Sequence, residues 1–168
     1  MKALIKKVEK TLPSKFKDTL YVNLFGLVKI PLIAFIGPKV ERLDEQECRV
    51  VIPLRYRTKN HLGAMYFGVL CAAADISGGL LAMKLIEESG EKISLVFKDF
   101  KAEFLKRVEG DCLLVNKQGP EVKEFIKKVI ASGERENMTV VVEAFVPKKL
   151  GDEVVARFEL TLSLKKRS

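Results

Sequence analysis

Apolar positions along the chain recur first at helical and then at strand spacing, and the switch between the two periods outlines the elements. Leu4, Ile5, Val8 and Leu12 share a short segment with Lys2, Lys6, Lys7 and Lys10 on the opposite side, which predicts an amphipathic helix. Pro13 separates it from a second helix, with Ser14 as the expected N-cap and Phe16, Leu20, Leu24 and Val28 recurring at helical spacing. Pro31 and Pro38 bound a short apolar run, Leu32–Ile36, read as the opening of the first strand. Next, Cys48, Val50, Ile52, Leu54 and Tyr56 alternate with Arg49, Val51, Pro53, Arg55 and Arg57, a half-buried strand in which Pro53 suggests an edge or a bulge. Further on, Ile93, Leu95 and Phe97 alternate with Ser94, Val96 and Lys98. Beyond Asp99 the apolar parity shifts to Phe100, Ala102 and Phe104, as a β-bulge would shift it. Cys112–Val115 is a short strand. Gly119-Pro120 opens a helix with Val122, Phe125, Ile126, Val129 and Ile130 as its inner stripe. Thr139–Val146 and Val154–Leu164 complete the strands, with Gly151-Asp152 in the turn between them. Without an internal repeat or a linker, the pattern predicts an α+β fold with a mostly antiparallel sheet. N-terminal amphipathic helices over residues 1–30 pack on a domain covering 31–168.

Between the second and third strand segments lies a different kind of run. Residues 65–83 carry a single charge, Asp75, near the middle. The length reaches the lower limit for a membrane span. Gly68, Gly78 and Gly79 thin its hydrophobicity, however, and the flanking amphipathic strands ask for a core on the same side. A buried helix wrapped by a sheet meets both demands, with Ala72, Ala73 and Ala74 letting strands approach. Asp75 is then the anomaly, because burying an unpaired carboxylate is costly or forces its protonation. Either it satisfies a structural hydrogen bond, or it does chemistry as a desolvated general base.

Composition and charge narrow the options. Of 168 residues, 48% are hydrophobic and 31% charged, which is globular composition. The net charge of +8 divides unevenly. Residues 1–40 hold eight Lys against Glu9 and Asp18, or +6, and the other 128 residues hold only +2. A nearly neutral body argues against a nucleic-acid reader. The basic arm keeps its helices soluble or meets an anionic membrane surface or a phosphate-bearing ligand. Cys48, Cys71 and Cys112 are too scattered for a disulfide framework, and with one His no metal site is expected. Cys71 lacks a basic companion in sequence and reads as a small core residue. The apolar stretch after the first lysines is interrupted by Lys29 and precedes no small-residue cleavage site. A cytoplasmic protein with reduced thiols is the expectation.

The spacing Asn60-x-x-Gly63-x-x-Tyr66-Phe67-Gly68, with Asp75 seven residues after Gly68, resembles the central-helix signature of hotdog-fold acyl-CoA thioesterases. The nearest branch is the phenylacetate-pathway type and its relatives. The resemblance covers residues 33–165 and implies a long helix wrapped by an antiparallel sheet of about six strands. The helix at 120–132 is then an insertion, and the N-terminal helices are an addition. The resemblance further implies hydrolysis of an acyl-CoA or acyl-carrier thioester. Asp75 serves as general base or nucleophile, Asn60 orients the water or the carbonyl, and backbone N–H groups near Phe67 and Gly68 polarise that carbonyl. A Ser early in the third strand assists, with Ser94 as the nearest match. No cofactor is implied beyond the CoA of the substrate. Such proteins commonly form dimers, or dimers of dimers, in which Asn60 and Asp75 would meet across an interface.

The chain departs from that signature where Tyr66-Phe67 replaces His-Gly. The Tyr66 hydroxyl could take over the His role, and Phe67 either narrows the pocket or points into the core. His61 stands beside the motif as a loop group, and His61 with Asp75 keeps open a dehydratase-type pairing. Arg55, Arg57 and Lys59 end the strand before the motif, and Lys98, Lys101, Lys106 and Arg107 lie on or near the next strand, where they could hold CoA phosphates or simply face solvent. The competing function is a non-catalytic acyl or CoA binding protein on the same fold.

Overall fold

The computed structural model describes residues 13–167, so the helix expected over 2–12 lies outside the described chain. Two helices come first: α1 (Ser14–Lys29) and α2 (Pro31–Ile36). Pro13, not Ser14, holds the N-cap position of α1, and its carbonyl accepts from the N–H groups of Phe16 (3.0 Å) and Lys17 (3.3 Å). The run read as the first strand is α2. Pro31 starts it, having no N–H to lose at a helix N-terminus, and Gly37 ends it in the left-handed region (φ 65°). Ile33 and Ile36, three apart, bury one side of it.

The strands are β1 (Lys39–Leu43), β2 (Cys48–Ile52), β3 (Ile93–Phe104), β4 (Cys112–Asn116), β5 (Glu136–Phe145) and β6 (Val154–Lys166). They form one antiparallel sheet in the order β1-β2-β4-β5-β6-β3. β2 is interior, paired with β1 on one side and β4 on the other. It stops at Ile52 because Pro53 has no N–H for the ladder, and Tyr56–Thr58 form a 3-10 turn where strand was expected. The expected bulge is present. Phe97 pairs with Leu162, yet the next pair is Phe100 with Leu160, so β3 carries an extra residue there. Asp99 fills the bulge and accepts a hydrogen bond from Thr161 Oγ1 (2.6 Å).

Helix α3 (Phe67–Ser89) lies against one face of the sheet, and α4 (Gly119–Ser132), between β4 and β5, packs against it. A short turn of helix, α5 (Pro147–Leu150), links β5 to β6. The core joins Leu70, Ala73, Ala74 and Leu81 of α3 to Val50, Ile52, Leu114, Val142, Phe158 and Leu160 of the sheet, with Val122 and Val129 of α4 fully buried beside them. The small residues of α3 do bring the sheet close. A methyl added at Gly78 or Gly79 would touch Val140 (3.5 Å) or Phe97 (3.7 Å). By length and composition α3 could cross a membrane, but most of its apolar window is buried within the domain.

Helix α1 runs beside β1. Thr19 Oγ1 accepts from the Val40 N–H (2.9 Å), and Asn23 Nδ2 donates to the Pro38 carbonyl (2.9 Å). Its buried positions are Val22 and Gly26, the latter set tightly against Ile33 and Ala34 of α2. The stripe Phe16, Leu20, Leu24 and Val28 therefore faces outward.

Candidate active site

The loop entering α3 is built around two polar side chains. Thr58 is buried, donates from Oγ1 to the Pro53 carbonyl (2.8 Å) and accepts from the Arg55 N–H (2.8 Å). Its own carbonyl accepts from the Tyr66 N–H (2.9 Å), which ties the turn to the start of the helix. Asn60-His61-Leu62-Gly63 is a tight turn closed by the Gly63 N–H on the Asn60 carbonyl (3.1 Å). Gly63 has φ 78°, a conformation that a side chain would strain. Asn60 Oδ1 accepts from the N–H groups of Leu62 (2.9 Å) and Ala64 (3.2 Å). Two donors aimed at one atom identify it as the oxygen. The Asn60 Nδ2 is left without a partner among the described residues, so this side chain presents a donor.

Helix α3 begins at Phe67 without a side-chain cap. Among the described residues nothing accepts from the N–H groups of Phe67 and Gly68, the orphan donors expected at a helix N-terminus. Beside them is a cleft of about 330 Å³ lined by Asn60, His61, Tyr66, Phe67, Leu70 and Phe104, with Lys106 and Arg107 at its rim. Phe67 does not turn into the core. It stays 57% exposed, against Tyr66 (4.8 Å between ring centroids) and edge-on to Phe104 (6.1 Å). Gly68 matters because the Tyr66 ring leans on it; a Cβ there would lie 2.5 Å from Tyr66 Cε1.

Asp75 lies on the one stripe of α3 that the sheet leaves open, with Gly68, Cys71 and Ala72. Its carboxylate has no hydrogen bond or ion pair among the described residues. Partial burial pushes its pKa above the ordinary carboxylate value, with no counter-charge to bring it back. A half-buried acid of raised pKa and no partner is suited to accept a proton. Asp75 does not line the cleft. It is seven residues from Gly68 on the same helix face, about 10 Å along the axis at 1.5 Å per residue.

The remaining residues singled out in the sequence fall elsewhere. Ser94 is near the far end of β3, where its hydroxyl donates to the Lys165 carbonyl (3.1 Å). Lys98 is exposed in the bulge, and the Arg57 guanidinium sits over the Phe35 ring (5.3 Å), away from the cleft lining. The cations at the cleft are Lys106, paired with Glu153, and Arg107, which has no ion pair among the described residues. The thiols are poor nucleophiles: burial pushes Cys48 and Cys112 up to about 12 and raises Cys71 as well. No cluster of His, Cys, Asp and Glu able to hold a metal occurs among the described residues.

A long helix laid on a six-stranded antiparallel sheet of this order is the hotdog fold. Solved structures agree. A protein of unknown function from Pseudomonas aeruginosa, a probable thioesterase, is 20% identical, covers 93% of this chain and 97% of its own, and superposes with a TM-score of 0.74. A protein of unknown function from Chlorobaculum tepidum is 14% identical over 91% of this chain and 97% of its own, with a TM-score of 0.78. A thioesterase from Haemophilus influenzae is 19% identical over 85% and 88%, with a TM-score of 0.63. A search of curated protein sequences finds no match. Within the fold, residues 20–164 match the domain of unknown function DUF4442, and the chain belongs to that family.

Proposed function

We propose that the protein hydrolyses acyl thioesters, acyl-CoA or acyl-carrier substrates, with Asp75 as general base. The observation that carries the reading is the Asp75 carboxylate itself: partnerless, half-buried and raised in pKa on the open stripe of an otherwise uncharged helix segment. Water attacks the thioester carbonyl while Asp75 takes its proton. The developing oxyanion is received by the free N–H groups of Phe67 and Gly68 and by Asn60 Nδ2, all donors at the positive end of α3. The C–S bond then breaks, the acyl group leaves as the acid, and the thiolate takes up a proton. Lys106 and Arg107 suit the phosphates of a CoA-type carrier.

One thioester carbonyl cannot meet donors and base that are about 10 Å apart on the same helix. The site is therefore composite, Asp75 of one copy serving the donors of a second. β3 offers an unpaired edge for such a homodimer, and Val96, Phe100 and Phe104 are exposed on it. A second reading, binding without turnover, is favoured by Tyr66 and Phe67 crowding the free amides.

Thiol release from a panel of acyl-CoA substrates tests the reading, with Asp75→Asn and Asn60→Ala each expected to lose at least about 100-fold. Unchanged turnover in Asp75→Asn removes the mechanism, and saturable binding without hydrolysis by the native protein selects the second reading. Mixing the two inactive variants by unfolding and refolding tests the composite site. Half the dimers are then mixed, and each has one intact site of two, so about a quarter of native activity returns. If base and donors act within one chain, none returns.

A further inference from the structure

The outward face of α1 is apolar and, among the described residues, uncovered. Phe16, Leu20, Leu24, Leu27 and Val28 follow one another at helical spacing on that face, and Leu27 keeps 67% of its surface. α2 packs on α1 through Gly26 and adds Leu32 and Phe35, both about half exposed. A contiguous exposed apolar face of this kind marks an interaction surface. Cations stand beside it. Lys15 Nζ is 5.6 Å from the centre of the Phe16 ring, Arg57 caps the Phe35 ring, and Lys29 is exposed at the end of α1. Acids nearby are few among the described residues. Asp18 is half-buried, close to Lys17 and Lys84, and Glu87 lies near Tyr21.

We infer that this face docks on an anionic lipid bilayer. The apolar side chains enter the boundary between headgroups and acyl chains, and the basic groups around them meet the negative surface charge. The distribution of charge favours this occupant over a second copy. Residues 1–40 hold +6 and the other 128 hold +2, and Lys2, Lys6, Lys7 and Lys10 precede α1 in the sequence. A symmetric pairing of two such faces would set Lys15, Lys29 and Arg57 against their own copies, whereas a bilayer bearing acidic lipids neutralises them. The inference is independent of the role assigned to Asp75.

Co-sedimentation of the full chain with vesicles tests it. Binding to phosphatidylcholine vesicles containing phosphatidylglycerol is expected to be at least about tenfold tighter than to phosphatidylcholine alone, and to weaken with salt. A variant combining Leu27→Gln, Val28→Gln and Leu32→Gln changes only exposed side chains and should keep its thermal melt while binding at least about tenfold more weakly. Lys15→Gln with Lys29→Gln should reduce the preference for the acidic lipid without touching the apolar face. Absence of binding to either vesicle, equal binding to both, or undiminished binding by the apolar variant overturns the proposal. So does concentration-dependent self-association that the apolar variant abolishes in the absence of vesicle binding, which would assign the face to a second copy.

Discussion

Replacing Thr58 by Val removes a hydroxyl and little else, since the two side chains have nearly the same shape. The hydroxyl makes two hydrogen bonds at 2.8 Å inside a buried site, one to the Pro53 carbonyl and one from the Arg55 N–H. Pro53 is itself buried, so its carbonyl is left unpaired at a cost of about 1–3 kcal/mol. Arg55 is exposed, water can reach its N–H, and that loss is about 1 kcal/mol. The sum, roughly 2–4 kcal/mol, is a large part of the 5–15 kcal/mol that holds a domain together. For a chain of this size it should lower the melting temperature by roughly 4–16 °C. The same turn carries Asn60 and receives the Tyr66 N–H, so the donor set at the head of α3 loosens with it. Amide exchange at Asn60, Ala64 and Tyr66 should quicken more than exchange in β5 and β6. Thr58→Ser keeps both hydrogen bonds and should cost only about 1 kcal/mol for the lost methyl. A Val variant as stable as the Ser variant, with unchanged exchange in residues 58–66, would refute the idea that this hydroxyl holds the loop.

Asp75→Asn should lose activity and gain stability. Burial raises the folded-state pKa of Asp75, so the folded chain holds the proton more tightly than the unfolded chain, whose value is near 3.8. The group's favourable contribution is full below 3.8 and is lost as pH rises through the raised folded value, leaving a penalty at neutral pH that the Asn variant escapes. Denaturant melts should find Asp75→Asn the more stable protein at pH 7, with the advantage fading on acidification; a less stable variant at pH 7 would contradict the desolvation argument. The acid limb of the pH–rate profile should correspondingly fall above 3.8. Gly63→Ala, forced to a positive φ, should cost about 1–2 kcal/mol, and Gly63→Asn clearly less, measured by thermal melts alongside turnover.

The readable parts of the chain are those where a period is sustained. The parity change at Asp99 marks the bulge because the alternation holds for several residues on either side. The stripe Val122, Phe125, Ile126 and Val129 marks the buried side of α4. Leu32–Ile36 has no such period. Pro31 before it and Gly37 after it are the boundaries of a short helix, a signal present in the sequence but outweighed there by apolar character. Spacing also cannot say which side of a helix faces inward: α1 packs through Val22 and Gly26, and its larger apolar residues face out. At the site, motif spacing drew attention to Asn60, Gly63, Tyr66, Phe67, Gly68 and Asp75. The parts set by tertiary contact were not legible. Thr58 reads as any loop Thr until its carbonyl and hydroxyl partners are known. Lys106 and Arg107 stand out in the sequence only as two of several basic residues near the third strand, and they, not Lys98, reach the cleft because the chain turns back after β3.

The contact between α1 and β1 limits how the protein can assemble. An open sheet has two edges, and a chain that left both free could add neighbours at each end without limit. Here Thr19 already accepts the outward N–H of Val40, and α1 covers the flank of β1. Among the described residues only β3 is left to accept another strand. Two copies joined there by a twofold axis use up both free edges, and the combined sheet terminates at a helix on each side. In the proposed dimer α1 would thus act as a chain stopper, turning a potential fibre-forming edge into a finite pair.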